Sequence, residues 1–143
     1  MKRLGHLNRD ISRVLARMGH TDSLVIADCG LPLPDAVECI DLALALGEPA
    51  FVRVLDTVLA DLKVERAVFA DETRRQNDAV ADRACRLARC GIEVEFVTHE
   101  RLKRLTHRAR AVIRTGEATP YANVILHSGV IFDPAERTAW SCK

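Results

Sequence analysis

A histidine and a carboxylate flank one short apolar run: His20 stands before Leu24–Ala27, and Asp28 follows it directly. The run has strand length and is bounded by polar and Gly/Pro signals. Gly30, Pro32 and Pro34 restrict the loop behind Asp28 to a narrow set of shapes. An imidazole can exchange protons near neutral pH, and α/β proteins build their sites at strand ends. Two more polar groups border strands. Thr98-His99-Glu100 closes the run Ile92–Val97, and Pro120-Tyr121-Ala122-Asn123 opens the last strand. Gathered together, His20, Asp28, His99, Tyr121 and Asn123 form a pocket of neutral donors and acceptors with one carboxylate. That mixture suits a polyhydroxylated ligand such as a sugar better than a phosphate. Each residue also has an ordinary structural role. Asp22 suits a turn, Asp28 a loop cap, His99 the neighbourhood of a helix cap, and Tyr121 a core edge with a wet hydroxyl.

The elements that must position these groups alternate along the chain. Asn8 caps a helix running to about Met18, with Ile11, Val14, Leu15 and Met18 on one side and Gly19 ending it. Val37–Leu46 mixes both periodicities, and a strand is favoured for its middle. Pro49 suits the first turn of a helix striped by Phe51, Val54, Leu55, Val58, Leu59 and Leu62. Val64–Ala70 reads as a strand. Asn77 caps a helix with Val80, Ala81, Ala84, Leu87 and Ala88 inward, stopped by Gly91. The strand Ile92–Val97 precedes a short basic helix from Thr98 or His99 that contains Leu102 and Leu105. The strand Ala109–Arg114, a loop over 115–120 and a strand core at Val124–Leu126 complete the pattern. This alternation predicts an α/β fold, a three-layer α/β/α sandwich around a mostly parallel, mixed sheet. One domain spans 1–132, and 133–143 form a polar tail in which Trp140 is the residue suited to dock.

The 143 residues are enough for one domain with its own core, and 48% of them are hydrophobic. A net charge of +1 argues for neither nucleic acid nor a membrane surface as partner, and neither is expected. The basic run Arg101–Arg110 has no interleaved aromatics for base stacking. No apolar segment has the length of a spanning helix, and no signal region opens the chain. The five cysteines lack metal-ligand spacing. They are expected as reduced thiols in a cytoplasmic protein, several of them buried. Gly-x-Gly-x-x-Gly, the phosphate loop, His-Glu-x-x-His and Gly-x-Ser-x-Gly are all missing.

The pieces Leu7-Asn8, Gly19-His20-Thr21-Asp22, Asp28-x-Gly30-Leu31-Pro32-Leu33-Pro34, Ile40-Asp41-Leu42-Ala43, Thr98-His99-Glu100, Val112–Glu117 and Pro120-Tyr121-Ala122-Asn123 occur in this order. Together they resemble the D-ribose pyranase family of sugar mutarotases over about Met1 to Phe132. The resemblance implies a cofactor-free, metal-free isomerase that interconverts the pyranose and furanose forms of D-ribose. It implies a cytoplasmic ring-shaped homo-oligomer, commonly a decamer of two stacked pentamers, in which a neighbouring subunit can complete the pocket. His20 matches the family's general acid; Asp28, His99, Tyr121, Ala122 and Asn123 match its sugar-binding residues. Cys29 stands where the family usually has a smaller residue such as alanine, and the tail after Phe132 exceeds the family's usual end. The sister L-fucose mutarotases resemble the chain less, since Gly-His-Gly-Asp and Asn-Phe-Pro tend to replace its motifs.

Ring opening of a cyclic hemiacetal needs a proton delivered to the ring oxygen and one removed from the anomeric hydroxyl. His20 is expected to deliver the first. Asp28 would orient His20 or hold a sugar hydroxyl, and water or His99 could take the anomeric proton. The alternatives are a fucose-type mutarotase and a non-catalytic ribose-binding ring protein.

Overall fold

The computed structural model describes residues 5–132. Its elements run α1 (Arg9–Arg17), β1 (Ser23–Ala27), β2 (Glu38–Asp41), α2 (Phe51–Leu59), β3 (Val64–Ala70), α3 (Thr73–Gln76), α4 (Asp78–Arg89), β4 (Glu93–Val97), α5 (His99–Thr106), β5 (Ala111–Arg114) and β6 (Val124–Ser128). The six strands form one sheet in the order β2-β5-β1-β6-β3-β4. β1 and β2 both pair parallel with β5, and β3 pairs parallel with β4. β6 runs antiparallel to both β1 and β3 in the middle of the sheet. Five strands therefore end at one edge, the carboxyl edge, and β6 begins there.

Alternation along the strands supplies two apolar faces. Leu24, Ile26, Phe69, Ile113 and Leu126 face one way, against Ile11 and Val14 of α1, Phe51, Leu55 and Val58 of α2, and Val80 and Leu87 of α4. Val25, Val68, Val112 and Ile125 face the other way, against Leu102 of α5 and Leu31. Leu24, Val25, Ile26 and Ala27 are fully buried, so β1 reads as a continuous apolar run because both its faces are covered. The expected three-layer, mixed-sheet architecture is the one observed.

The caps are those the sequence predicts. The Asn8 side chain accepts from the Asp10 and Ile11 N–H groups, Asn77 from Val80, and Thr98 from Arg101. The ambiguous segment is a strand only over Glu38–Asp41. Beyond it, Leu44 and Leu46 are exposed on a loop that closes with an Ala45–Glu48 bridge. That loop lies on Gly116, whose N–H donates to the Pro49 carbonyl at 3.0 Å. A Cβ on Gly116 would stand 2.0 Å from the Glu48 carbonyl oxygen, so the approach requires glycine. Three local expectations are corrected. The short helix α3 carries no periodic signal and was not expected. Ala88 faces solvent rather than the core. The cysteines are less buried than expected: among the described residues Cys29 is half-buried and Cys39 and Cys85 are exposed, and all three are free. The expected tail and Trp140 lie outside the described residues.

Candidate functional site

At the carboxyl edge β1 delivers Asp28 and β6 begins after Asn123, directly opposite. Both side chains are buried. Asn123 Nδ2 donates to Asp28 Oδ2 at 2.7 Å, and the Asp28 N–H donates to Asn123 Oδ1 at 3.0 Å. Asp28 Oδ1 accepts from the Gly30 N–H at 3.0 Å, which fixes the first turn of the proline-stiffened loop. The other flank of the Asp28 backbone is held by the loop after β5. Thr115 N–H and Oγ1 both donate to the Ala27 carbonyl, at 2.9 and 2.8 Å, and the Cys29 N–H donates to the Glu117 carbonyl at 2.9 Å. Arg114 bonds both Asp41 oxygens and reaches the Cys29 carbonyl at 3.2 Å. A carboxylate so enclosed is a fixed acceptor rather than a mobile surface charge.

His99 and Tyr121 come to the same edge from β4 and from the segment before β6. Their rings meet edge-on, with centroids 5.2 Å apart and planes at 85°. The His99 N–H donates to the Glu72 carboxylate at 3.0 Å. Its Nδ1 is buried without a hydrogen-bond partner among the described residues. Tyr121 adopts a left-handed φ of 61°, unusual for a bulky residue. Two residues impose that turn. Thr73 Oγ1 donates to the Tyr121 carbonyl at 3.0 Å, and Asn77 Nδ2 donates to the Pro120 carbonyl at 2.9 Å. Ala122 is buried between Tyr121 and Asn123.

His20 lies elsewhere. It precedes β1, at the amino edge, separated from Asp28 by about 17 Å of strand at ~3.3 Å per residue. The expected single pocket is thus corrected for one protomer. Asp28, His99, Tyr121, Ala122 and Asn123 gather at one edge, and His20 stands at the opposite one. Asp28 does not orient His20 within the chain. The partner of the His20 Nε2 is Glu65 Oε2, at 3.0 Å.

The turn carrying His20 is tightly bound. Asp22 Oδ2 accepts from the Gly19 N–H, and Asp22 Oδ1 meets Arg110 Nε, both at 2.9 Å. These contacts, the Gly19 bond first and Arg110 second, hold the Asp22 carboxyl below its usual value. The Thr21 N–H donates to the Ser128 carbonyl at 3.0 Å while Thr21 sits at a φ of 68°. Behind it, His127 shares a 3.1 Å contact with Arg66. Burial, and then the Arg66 charge, push the His127 imidazole down.

Sequence reasoning named the candidates but not the residues that support them in the fold: Glu65, Glu72, Thr73 and Arg114. Asn77 was legible only as a cap. Each acts across 27 or more residues of chain, so no local pattern marks it. Among the described residues no group of three or more His, Cys, Asp or Glu is arranged to hold a metal ion. No helix there is long and apolar enough to cross a membrane.

The fold and site are those of a mixed six-stranded α/β domain with a buried hydrogen-bonding cluster at its carboxyl edge. The chain belongs to the RbsD / FucU transport protein family, whose model matches residues 1–131. It is 66% identical over 132 residues to the D-ribose pyranase of Chromobacterium violaceum, spanning 92% of this chain and all of that protein. The D-ribose pyranase of Halalkalibacterium halodurans is 58% identical over the same length and coverage. Among solved structures, Bacillus subtilis RbsD complexed with D-ribose superposes with a TM-score of 0.87 at 45% identity, covering 92% of this chain and all of that one. The fucose mutarotase of Streptococcus pneumoniae, in complex with L-fucose, shares the fold at a TM-score of 0.74 and 21% identity, covering 87% of this chain and 94% of that one.

Proposed function

We propose that this protein is a D-ribose pyranase, an isomerase that interconverts β-D-ribopyranose and β-D-ribofuranose without a cofactor. The carrying observation is the carboxyl-edge cluster: a buried Asp28–Asn123 unit beside the His99–Tyr121 ring pair, with His99 Nδ1 unpartnered among the described residues. Sugar hydroxyls both donate and accept, and this cluster offers carboxylate and amide oxygens, imidazole nitrogen and phenol. Asp28, His99, Tyr121, Ala122 and Asn123 hold the hydroxyls. His20 supplies the proton. The similarity to pyranases across nearly the whole chain supports ribose over fucose, where the likeness is of fold alone.

In the reaction, the bond between the anomeric carbon and the ring oxygen breaks. The ring oxygen takes a proton from the imidazolium, and the anomeric hydroxyl gives one to a base, leaving the open aldehyde. After rotation the 4-hydroxyl adds to the carbonyl carbon, returning its proton to the imidazole. The carbonyl oxygen regains a proton from the base. No net oxidation occurs. Well-placed acid–base groups supply about 10²–10⁴-fold in rate.

For His20 to act on a sugar at the carboxyl edge, it must come from another copy. We therefore assign the working form as a head-to-tail ring, proposed as a decamer of two pentamers, in which one protomer's amino edge meets the next one's carboxyl edge. Exposed apolar residues support contacts at both edges: Leu44 and Leu46 beside the Gly116 loop, and Ile131 and Phe132 after β6. The proposed setting is the cytoplasm. The free thiols of Cys29, Cys39 and Cys85 support a reducing compartment.

Magnetisation-transfer NMR on D-ribose and L-fucose, with native protein and His20→Ala, tests the reading. Exchange between ribopyranose and ribofuranose that is enhanced by the native protein and lost in the variant is expected. Faster exchange of fucose, or a fully active His20→Ala protein, overturns it.

A further inference from the structure

The Glu65 carboxylate has no assigned role, yet it meets the one residue that the proposed reaction requires at the amino edge. We infer that Glu65 is the positioning residue of His20: it holds the imidazole by Nε2 and makes Nδ1 the atom that exchanges protons with the sugar. The inference rests on the pyranase reading and deepens it.

Three observations carry it. His20 Nε2 lies 3.0 Å from Glu65 Oε2, an ordinary N–H···O hydrogen-bond distance. A carboxylate can only accept, so the proton in this bond belongs to Nε2. In the neutral ring Nδ1 is then bare, a base; in the imidazolium it carries the proton to be delivered. Second, the pair is built on fixed backbone at both ends. His20 sits within the turn tied by Asp22, Arg110 and Ser128. Glu65 lies at the start of β3, where the register with β6 shifts between Val64 and Arg66. Gly129 packs against Glu65; a Cβ there would stand 3.3 Å from the Glu65 Cβ. Third, the side chains remain 52% and 43% exposed, so a substrate held by a neighbouring protomer can reach the ring. Glu65 also borders a cavity of about 400 Å³ lined by Thr21, Arg66, Glu93 and His127.

The Nε2 proton stays on the imidazole throughout, hydrogen-bonded to Glu65. Nδ1 gives its proton to the ring oxygen as the hemiacetal bond breaks, and takes one from the 4-hydroxyl as the furanose closes. A base whose orientation is set by a third group is the general logic of hydrolytic triads. Here it serves hemiacetal exchange without a nucleophile.

The test combines tautomer and rate. Long-range ¹H–¹⁵N correlation spectra of the full-length protein above the imidazole titration report which His20 nitrogen carries the proton. An Nε2–H ring in the native protein and a mixture of tautomers in Glu65→Gln are expected. Ribose exchange should fall roughly tenfold or more in Glu65→Gln, a share of the acid–base contribution. Ribose affinity should stay within about twofold, because Glu65 does not hold the sugar. Glu65→Asp should recover part of the rate. A native Nδ1–H tautomer overturns the inference whatever the variants do, as does a Glu65→Gln protein with native rate. Failure of the pyranase reading looks different: native protein with an intact Nε2–H pair would show no ribose exchange.

Discussion

At the carboxyl edge Asp28 and Asn123 lock each other inside the protein, whereas at the amino edge His20 and Glu65 meet in half-exposed contact. The first arrangement is built for binding. Its buried polar atoms are paired by short hydrogen bonds in a low-dielectric setting, where each is costly to lose. The second is built for access. Its side chains keep contact with water and are ordered by a bound turn rather than by burial. On the proposed reading this difference separates the two tasks of a hemiacetal isomerase: holding hydroxyls takes a rigid frame of fixed donors and acceptors, and moving a proton takes a group that can change charge. Each protomer would then supply half of two sites.

The strongest way to break this comparison is subunit complementation. His20→Ala and Asp28→Asn proteins should each lose ribose exchange by about 10²-fold or more. Co-assembled at equal ratio, they should regain about a quarter of the native activity, since a random head-to-tail ring leaves that share of edges intact. Recovery absent from mixed rings, measured by magnetisation transfer, would place both groups in one protomer's site and end the split.

Next in size are changes to the carboxyl frame itself. Gly116→Ala forces a Cβ into the Glu48 carbonyl and should cost about 3 kcal/mol in chemical denaturation. Asn123→Ala strands the Asp28 carboxylate and should cost about 2 kcal/mol, together with ribose affinity in calorimetric titration. His20→Ala, at the exposed edge, should shift stability by no more than about 0.5 kcal/mol. Equal losses at the two edges would remove the contrast.

A smaller effect lies in Glu117. Ala50 gives α2 no side-chain cap, and Glu117 Oε2 accepts from the Phe51 N–H at 3.3 Å instead. Burial pushes this carboxyl up, but the N–H groups of Thr119, Phe51 and Ala118 outweigh it and leave it below its usual value. Glu117→Ala should cost about 1 kcal/mol, as cap losses do. The smallest effect is one of pH. His127 is held neutral in the fold, so its contribution is full above the unfolded imidazole pKa of 6.5 and is lost as pH falls through its lowered folded value. Urea midpoints of His127→Gln should therefore decline less between neutral and mildly acidic pH than those of the native protein. Asp22 acts in the same sense lower down: its stabilisation holds above the unfolded carboxyl value of 3.8 and fades as pH drops below it.

Much of this was determined by the sequence alone. Asn8, Asn77 and Thr98 cap helices through their own neighbours, within three residues. The doubly covered β1 announces itself as Leu24–Ala27 because two apolar faces leave no alternation to read. The polar residues bordering strands, Asp28, His99, Tyr121 and Asn123, were legible for the same reason: strand ends are local events. What only the tertiary structure decided concerns distance across the sheet. Inserting antiparallel β6 between β1 and β3 brings Asn123 to Asp28, 95 residues away, and carries His127 and Ser128 to the turn of His20. The five-residue length of β1 then sets His20 and Asp28 at opposite edges. Residue types fix which groups can exchange protons or bind hydroxyls through local chemistry. Their assignment to one site or two depends on strand order and direction, which arise from long-range packing.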